Sequence, residues 1–344
     1  MSKCAGCSLS GLGNNWNMIT KQDIVNEILE KHAEILADKA EAFAPSNIAL
    51  CKYWGKRDIE LNLPVTSSLS ISLGKLGSCC SLSFCDKQDR VILNGEKLEY
   101  DSTFVVRLSQ YLDLFRREKH RHYHVETTNT IPTAAGFASS ASGFASIVLA
   151  LNKLHGWNLT KQKLSILARL GSGSASRSLW QGFVEWHAGS DEQGMDSFAE
   201  PLEHSAWPEL KIGLLVLEAG EKEIGSRAAM QRTVETSQLY KSWPDKVKQD
   251  MQKLKKSIID KDFDQLGSTA ESNALAMHAT MMAAQPPVLY WLPQSVTTMK
   301  KVWQCRHEGL PLYFTMDAGP NIKLLFLEKD KDTILSKFPS LIIA

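Results

Sequence analysis

The chain has 344 residues, a formal net charge of +1, 43% hydrophobic residues and 22% charged ones. That length gives core enough for two domains, and the composition is that of a soluble globular protein. A near-neutral balance excludes the broad basic surface that a nucleic-acid partner needs. No apolar run approaches the ~20 residues of a membrane span, and the N-terminus has no signal-peptide core, so a cytoplasmic protein without a membrane partner is expected. Seven scattered cysteines, an odd number, suit a reducing compartment better than a disulfide framework. Cys4 and Cys7 form one C-x-x-C pair. A structural zinc takes about four ligands and no second pair is near, so no metal ligands are assigned to protein side chains.

Residues 1–19 are small and polar and are expected to be flexible. Thr20 can cap a helix, with Asp23 three residues on, and Ile24, Val25, Ile28, Leu29, Ile35 and Leu36 form its apolar stripe. Residues 42–50 read as a strand. Then comes CKYWGKRD at 51–58, which crowds Lys52, Lys56 and Arg57 around Gly55. Such a cluster is either a solvated basic loop or a site for a phosphate-rich ligand, and Tyr53 and Trp54 would pin it in place. Strands are expected at 65–73, 81–84 and 91–93, the last ending in the hairpin signal Asn94–Gly95. Residues 102–117 have helix spacing. His120, His122 and His124 alternate into a strand at 123–128, where a solvated strand end accounts for them better than a metal site.

Residues 132–146, PTAAGFASSASGFAS, open with Pro132, continue with small residues around Gly136, and pass into a helix carrying Phe144, Ile147, Val148, Leu151 and Leu154. Backbone N–H groups at such a helix start favour an anion, phosphate above all. The loop has no lysine and lacks the Walker A spacing. After a helix capped by Thr160 comes GSGSASRSLWQGFVEW at 171–186, a second Gly/Ser segment with an arginine, expected to open a helix and to form a second anion site. A polar stretch at 189–207 marks a domain boundary. This divides the chain into 1–19, 20–200 with an added N-terminal helix, and 201–344. Beyond it a strand at 211–217, helices at 226–240, 244–259, 262–283 and 295–308, and strands at 312–316 and 323–327 suggest an α+β sandwich with one helical layer. MDAGPN at 316–321 is either an ordinary turn or a carboxylate, Asp317, presented at a strand end.

Four of these motifs, APSNIALCKYWGKRD, PTAAGFASSAS, GSGSASRSLWQGFVEW and MDAGPN, resemble in residues and order those of the GHMP small-molecule kinases. Ala138-Ser139-Ser140 is similar to the mevalonate diphosphate decarboxylase branch of that superfamily. The resemblance covers about 44–321. It implies a two-domain α+β GHMP kinase fold, with an N-terminal domain like ribosomal protein S5 domain 2 and a ferredoxin-like C-terminal domain. It also implies ATP-dependent decarboxylation of (R)-5-diphosphomevalonate, with ATP and Mg²⁺ as cofactors and a homodimer as the assembly. By motif, Asp317 is the catalytic carboxylate and Lys56 its cationic neighbour. Asn47, Lys52, Tyr53, Ser172, Ser174, Arg177 and Met230 would bind substrate. Arg90, Pro132, Ala134, Gly136, Ser139, Ser140 and Ser142 would bind ATP. Alternatives are a related kinase or decarboxylase acting on 5-phosphomevalonate or a 3,5-bisphosphate, and a non-catalytic regulator on the same fold. The chain departs from the pattern at Ser176, where cysteine is expected, and in its added N-terminal helix.

Overall fold

A computed structural model describes residues 19–118, 120–131, 139–218, 220 and 223–344. The expected flexible N-terminus, Cys4 and Cys7 lie outside these residues, as do Pro132, Ala134, Gly136 and the side chain of Ser139.

The first element, α1 (Lys21–Leu29), starts where expected: Thr20 accepts from the Asp23 N–H and Asp23 returns a bond to the Thr20 N–H. Ile24, Val25, Ile28 and Leu29 are buried. The predicted stripe does not continue to Ile35 and Leu36, which are exposed. There the backbone runs past the end of a later helix instead, with Ile35 and Ala37 donating to the carbonyls of His155 and Leu154 at 3.0 and 2.9 Å. Those bonds satisfy carbonyls that a helix end leaves free.

The strands that follow are β1 (Lys39–Cys51), the short pair β2 (Lys56–Asp58) and β3 (Leu63–Pro64), β4 (Ser68–Cys85), β5 (Arg90–Leu93) and β6 (Glu96–Lys97). The strands expected at 65–73 and 81–84 are one long strand, β4. It bends without breaking at Gly74, whose φ of +61° suits glycine, and Gly77 passes so near β1 that a Cβ would lie 2.1 Å from the Ala44 carbonyl. Asn94 and Gly95, both at positive φ, turn β5 into β6. Next come α2 (Thr103–Asp113), β7 (His122–Asn129), α3 (Ser139–Leu154), α4 (Lys161–Gly171), a 3₁₀ turn (Gly173–Arg177), β8 (Phe183–Trp186) and β9 (Ala199–Pro201). The sheet order is β6-β5-β7-β4-β8-β9, with β1 also paired to β4. One face carries α3 and α4 through a core that includes Leu82, Val125, Val148, Leu151 and Leu167.

The remaining elements are β10 (Leu210–Leu215), α5 (Ser226–Thr236), α6 (Trp243–Asp260), α7 (Phe263–Met282), α8 (Pro293–His307), β11 (Tyr313–Met316), β12 (Ile322–Leu327), α9 (Lys331–Lys337) and β13 (Ile342–Ile343). The four strands make an antiparallel sheet, β11-β12-β10-β13. It has helices on both faces, not the single layer expected. Alternate residues of β12 point opposite ways: Leu325 joins the core under α6 and α7, while Leu324 and Phe326 join Val302 of α8 and Ile334 of α9. The α6–α7 layer serves both sheets. Leu254, Leu266 and Ala270 share one core with Ile48 and Leu50 of β1, Leu69 of β4 and Phe183 of β8. That shared layer brings the ends of β1 and β11 together, and the cleft lies there.

Candidate active site

Asp317 is the first residue past β11, in a turn closed by the Gly319 N–H on its carbonyl at 2.8 Å. Its Oδ1 takes Lys52 Nζ at 2.9 Å and its Oδ2 takes Lys323 Nζ at 3.0 Å. His278 Nε2 donates to the Asp317 main-chain carbonyl at 3.0 Å. The lysine side chains are 2% and 3% exposed, whereas the carboxylate is 32% exposed and lines the cleft. Burial works against the Asp317 charge, but Lys323 and Lys52 outweigh it and hold the carboxyl well below the usual range. For Lys52 burial prevails over the attraction of Asp317 and pulls the ammonium to about 8.

The lysine that touches Asp317 is thus Lys52, not Lys56. Lys52 directly follows β1 and its Nζ also reaches the Ala49 carbonyl at 2.7 Å, which turns it toward β11. Lys56 opens β2, lines the same cleft and bonds Asn62 Oδ1 at 2.6 Å. Burial, then the charges of Arg227, Lys21 and Arg107, bring it to about 8.

A second wall is built from the Gly/Ser segment. Ser172 is the C-cap of α4, and Gly173–Arg177 forms the 3₁₀ turn. The segment therefore ends α4 and opens only this short 3₁₀ helix, whose amides bond inward, Ala175 to Ser172 and Ser178 to Ala175. Gly173 is needed because a Cβ would lie 2.9 Å from both Trp186 and Tyr53. Arg177 is buried. Its Nη1 donates to Ser68 Oγ, its Nε to Asn47 Oδ1 at 3.4 Å, and its guanidinium lies 5.9 Å from the Trp186 ring centroid. Asn47 is fixed in turn by Ser178 Oγ at 2.7 Å. Burial lowers the Arg177 guanidinium to about 10, still charged near neutrality. Ser176, the departure from the family pattern, is buried and donates to the Gly173 carbonyl at 2.7 Å, closing the turn away from the cleft. The Tyr53 ring packs edge-on to Trp186 at 4.8 Å. Its buried hydroxyl has no hydrogen-bond partner among the described residues.

Between these walls is a cleft of about 460 Å³. Its lining contains the cations Lys52, Lys56, Arg107, Arg177 and Arg227, and among the described residues Asp317 is its one carboxylate. Arg107 on α2 and Arg227 on α5 both donate to the Gly171 carbonyl, at 2.9 and 3.4 Å. Five cations facing one carboxylate that is already paired make a receptor for a polyanion. Ser172, Ser174 and Met230 line it too, as does Ser140 in the first turn of α3. Ser142 does not: it is buried, and its hydroxyl meets those of Ser46 at 2.9 Å and Ser78 at 2.7 Å in the packing of α3 on the sheet. Arg90 is also elsewhere, exposed at the start of β5. Lys323, His278, Arg107 and Arg227 were not singled out from the sequence. Lys323 had a signal, as a lone charge in the otherwise apolar run IKLLFL. Arg107 flanks an apolar helical stripe and Arg227 sits in a polar helix, where a charge is ordinary.

No group of three or more His, Cys, Asp or Glu side chains is placed to hold a metal among the described residues. A cleft rich in cations fits Mg²⁺ only as a companion of bound phosphates, held by their oxygens and water. No helix of the described residues is long and apolar enough to cross a membrane.

Comparison with known proteins agrees with this chemistry. The family described as the diphosphomevalonate decarboxylase-like N-terminal domain matches residues 44–199, and the mevalonate 5-diphosphate decarboxylase C-terminal domain matches 212–343. The diphosphomevalonate decarboxylase of Candida albicans is 36% identical over 315 residues, covering 86% of each chain. Among solved structures, the mevalonate diphosphate decarboxylase of Staphylococcus aureus superposes with a TM-score of 0.84 at 38% identity, covering 92% of this chain and 96% of that one. MDDEF, solved in complex with MVAPP, AMPPCP and magnesium, superposes with a TM-score of 0.82 at 40% identity, covering 89% and 95%. The two-domain α+β architecture is that of the GHMP kinase fold seen in these enzymes. The chain belongs to the mevalonate diphosphate decarboxylase family.

Proposed function

We propose that this protein catalyses the ATP-dependent decarboxylation of (R)-5-diphosphomevalonate to isopentenyl diphosphate, releasing ADP, phosphate and carbon dioxide, as a step of isoprenoid biosynthesis by the mevalonate pathway. The observation that carries the proposal is the pairing of Asp317 with Lys52 and Lys323 at the edge of a cleft lined by five cations.

A tertiary hydroxyl is a poor leaving group. Phosphorylation at C3 converts it into a good one. Phosphate then departs with the C3–O electron pair, while the pair of the C1–C2 bond becomes the new double bond and the carboxylate leaves as carbon dioxide. Asp317, held strongly ionised, is a weak base. Its role is to accept the hydrogen bond of the 3-hydroxyl and aim that oxygen at the γ-phosphorus. The proton moves to Asp317 late, once bonding to phosphorus has made the hydroxyl acidic. Lys52 and Lys323 keep the carboxylate in place. Arg177, Lys56, Arg107 and Arg227 offset the charge of the two substrates, with Tyr53, Ser172 and Ser174 directing the anionic end of the mevalonate derivative. Ser140 and the preceding loop are assigned to the nucleotide phosphates. Mg²⁺ carried by ATP would neutralise charge on the transferring group. The proposed assembly is a cytoplasmic homodimer, which light scattering of the purified protein would check.

The test measures ADP and carbon dioxide together across a panel of mevalonate phosphates. Equimolar release with the 5-diphosphate supports the proposal. ADP without carbon dioxide would make the protein a kinase, and tight binding without ADP would make it a regulator; either result overturns it.

A further inference from the structure

Lys52 owes its place to more than its own side-chain bonds. Its backbone N–H lies just beyond the β1 ladder, where no strand takes it, and the acceptor is Asn273 Oδ1 at 2.8 Å. Asn273 is fully buried on α7. Its Nδ2 donates to Asp250 Oδ2 of α6 at 2.8 Å. Asp250, also buried, is held by Lys246 Nζ, which reaches Oδ1 at 2.6 Å. Five residues after Asn273, the same helix carries His278, whose Nε2–H binds the Asp317 carbonyl. Helix α7 therefore grips the lysine from one side and the aspartate from the other.

We infer that Asn273, oriented by Asp250, is a positioning residue for the reaction: with His278 it fixes Lys52 and Asp317 relative to one another through α7. The inference rests on the assignment of Lys52 and Asp317 to the chemistry. An amide suits the post because it accepts from the Lys52 N–H while donating to Asp250, a combination that neither a carboxylate nor an ammonium provides. Loss of the amide leaves a buried N–H without its acceptor, and displacement of a positioned group by ~1 Å costs on the order of 10²-fold in rate.

The experiment measures kcat, the KM for ATP and the thermal midpoint for Asn273→Ala, Asn273→Asp, the exchanged pair N273D/D250N, and Asn273→Ala in a Lys52→Met background. Expected are a kcat loss of about 10- to 100-fold for Asn273→Ala, and a KM for ATP within about twofold of wild type. In the Lys52→Met background the same substitution should cost less than about twofold more, since residues acting through one another are not additive. Asn273→Asp places a second carboxylate against Asp250 and should be as damaging. The exchanged pair restores one acceptor and one donor and should recover most of the activity. Should Asn273→Ala fail to fold, recovery in the exchanged pair relative to Asn273→Asp carries the test. Equal losses in both backgrounds, unchanged kcat in Asn273→Ala, or no recovery in the exchanged pair would overturn the inference. Full turnover in Lys52→Met would overturn the reading of the site, and this inference with it.

Discussion

Both carboxylate oxygens of Asp317 have a lysine partner within the protein, whereas the hydroxyl of Tyr53, across the same cleft, has none among the described residues. Around Asp317 the bonds to Lys52, Lys323 and His278 all come from the protein itself. Along the Gly/Ser wall, Ser172 and Ser174 only approach each other, at 3.4 Å, and both face the cleft. One region is held by the protein's own bonds, the arrangement that lets charge be met without rearrangement; the other offers polar groups toward the cleft. Damage to the first should therefore appear in kcat and stability, and damage to the second in KM.

The largest effect is expected from Asp317→Asn, which removes the charge and keeps the shape. Loss of an orienting or base function is worth about 10²–10⁴ in rate, and kcat for the folded variant should fall by at least ~10². Stability should fall too, because breaking a buried pair costs roughly 3–5 kcal/mol and here two buried lysines lose the opposite charge of Asp317. Melting curves from about pH 7 to 10 would test that cause. Burial already lowers Lys52, and without the aspartate charge it sheds its proton more readily, so the folded variant binds fewer protons than the unfolded chain and its stability rises with pH. Near wild-type turnover would remove Asp317 from the mechanism.

Arg177→Lys comes next. The ammonium keeps the charge but cannot hold Asn47 and Ser68 while presenting a planar fork to a ligand. One charged hydrogen bond is worth about 1.5–3 kcal/mol, or roughly 10- to 150-fold, and kcat/KM should fall by that factor. Unchanged kinetics would detach Arg177 from substrate binding.

A rise in pH should move activity and stability in opposite directions. Lys52 and Lys56 both lie near 8, and their protonated forms hold the anions. kcat/KM for the free enzyme should be level below about pH 8 and fall above it, about tenfold per unit where one ammonium is required and about a hundredfold where both are. The Lys52 contribution to stability runs the other way. Its folded value is depressed below the ~10.4 of an unfolded lysine, so the unfolded state holds more protons between the two, and stability rises across that window. A rate profile that stays flat to about pH 9.5 would show that neither ammonium is required.

Tyr53→Phe should have the smallest effect. It deletes a hydroxyl with no protein partner, so the thermal midpoint should hold or rise slightly. KM for the mevalonate substrate should rise a few-fold, in line with a hydrogen bond of about 0.5–1.5 kcal/mol. An unchanged KM with a lower midpoint would reverse the contrast between the two walls.

Much of this was legible in the sequence because the signals are local. Thr20 and Asp23 mark a helix start, Asn94 and Gly95 a hairpin, and the four motifs carry most of the cleft. The misplacements arose where a distant partner decides the outcome. Lys52 and Lys56 are four residues apart and equally basic; only the turn of Lys52 back onto Ala49, under Asn273, selects which one meets Asp317. Ser140 and Ser142 differ by two positions on one helix, enough to turn the first to the cleft and the second to Ser46 and Ser78. Gly173–Arg177 does open a helix, but only a five-residue 3₁₀ one directly behind α4, whose amides are taken by its own carbonyls.

The pair of Lys52 with Asp317 joins residues 265 positions apart. During synthesis, then, the chain can complete its first sheet, through β9 at Pro201, and still hold only one member of this pair. Its lysine stays unmatched until α6 and α7 have packed against β1 and the strand leading to Asp317 has been added. Closing so long a loop comes late, because the ordering entropy precedes the reward. Assembly of this pair is thereby timed to the end of folding, and a truncated product that stops before β11 would bring cations to the cleft but no aspartate for them to hold.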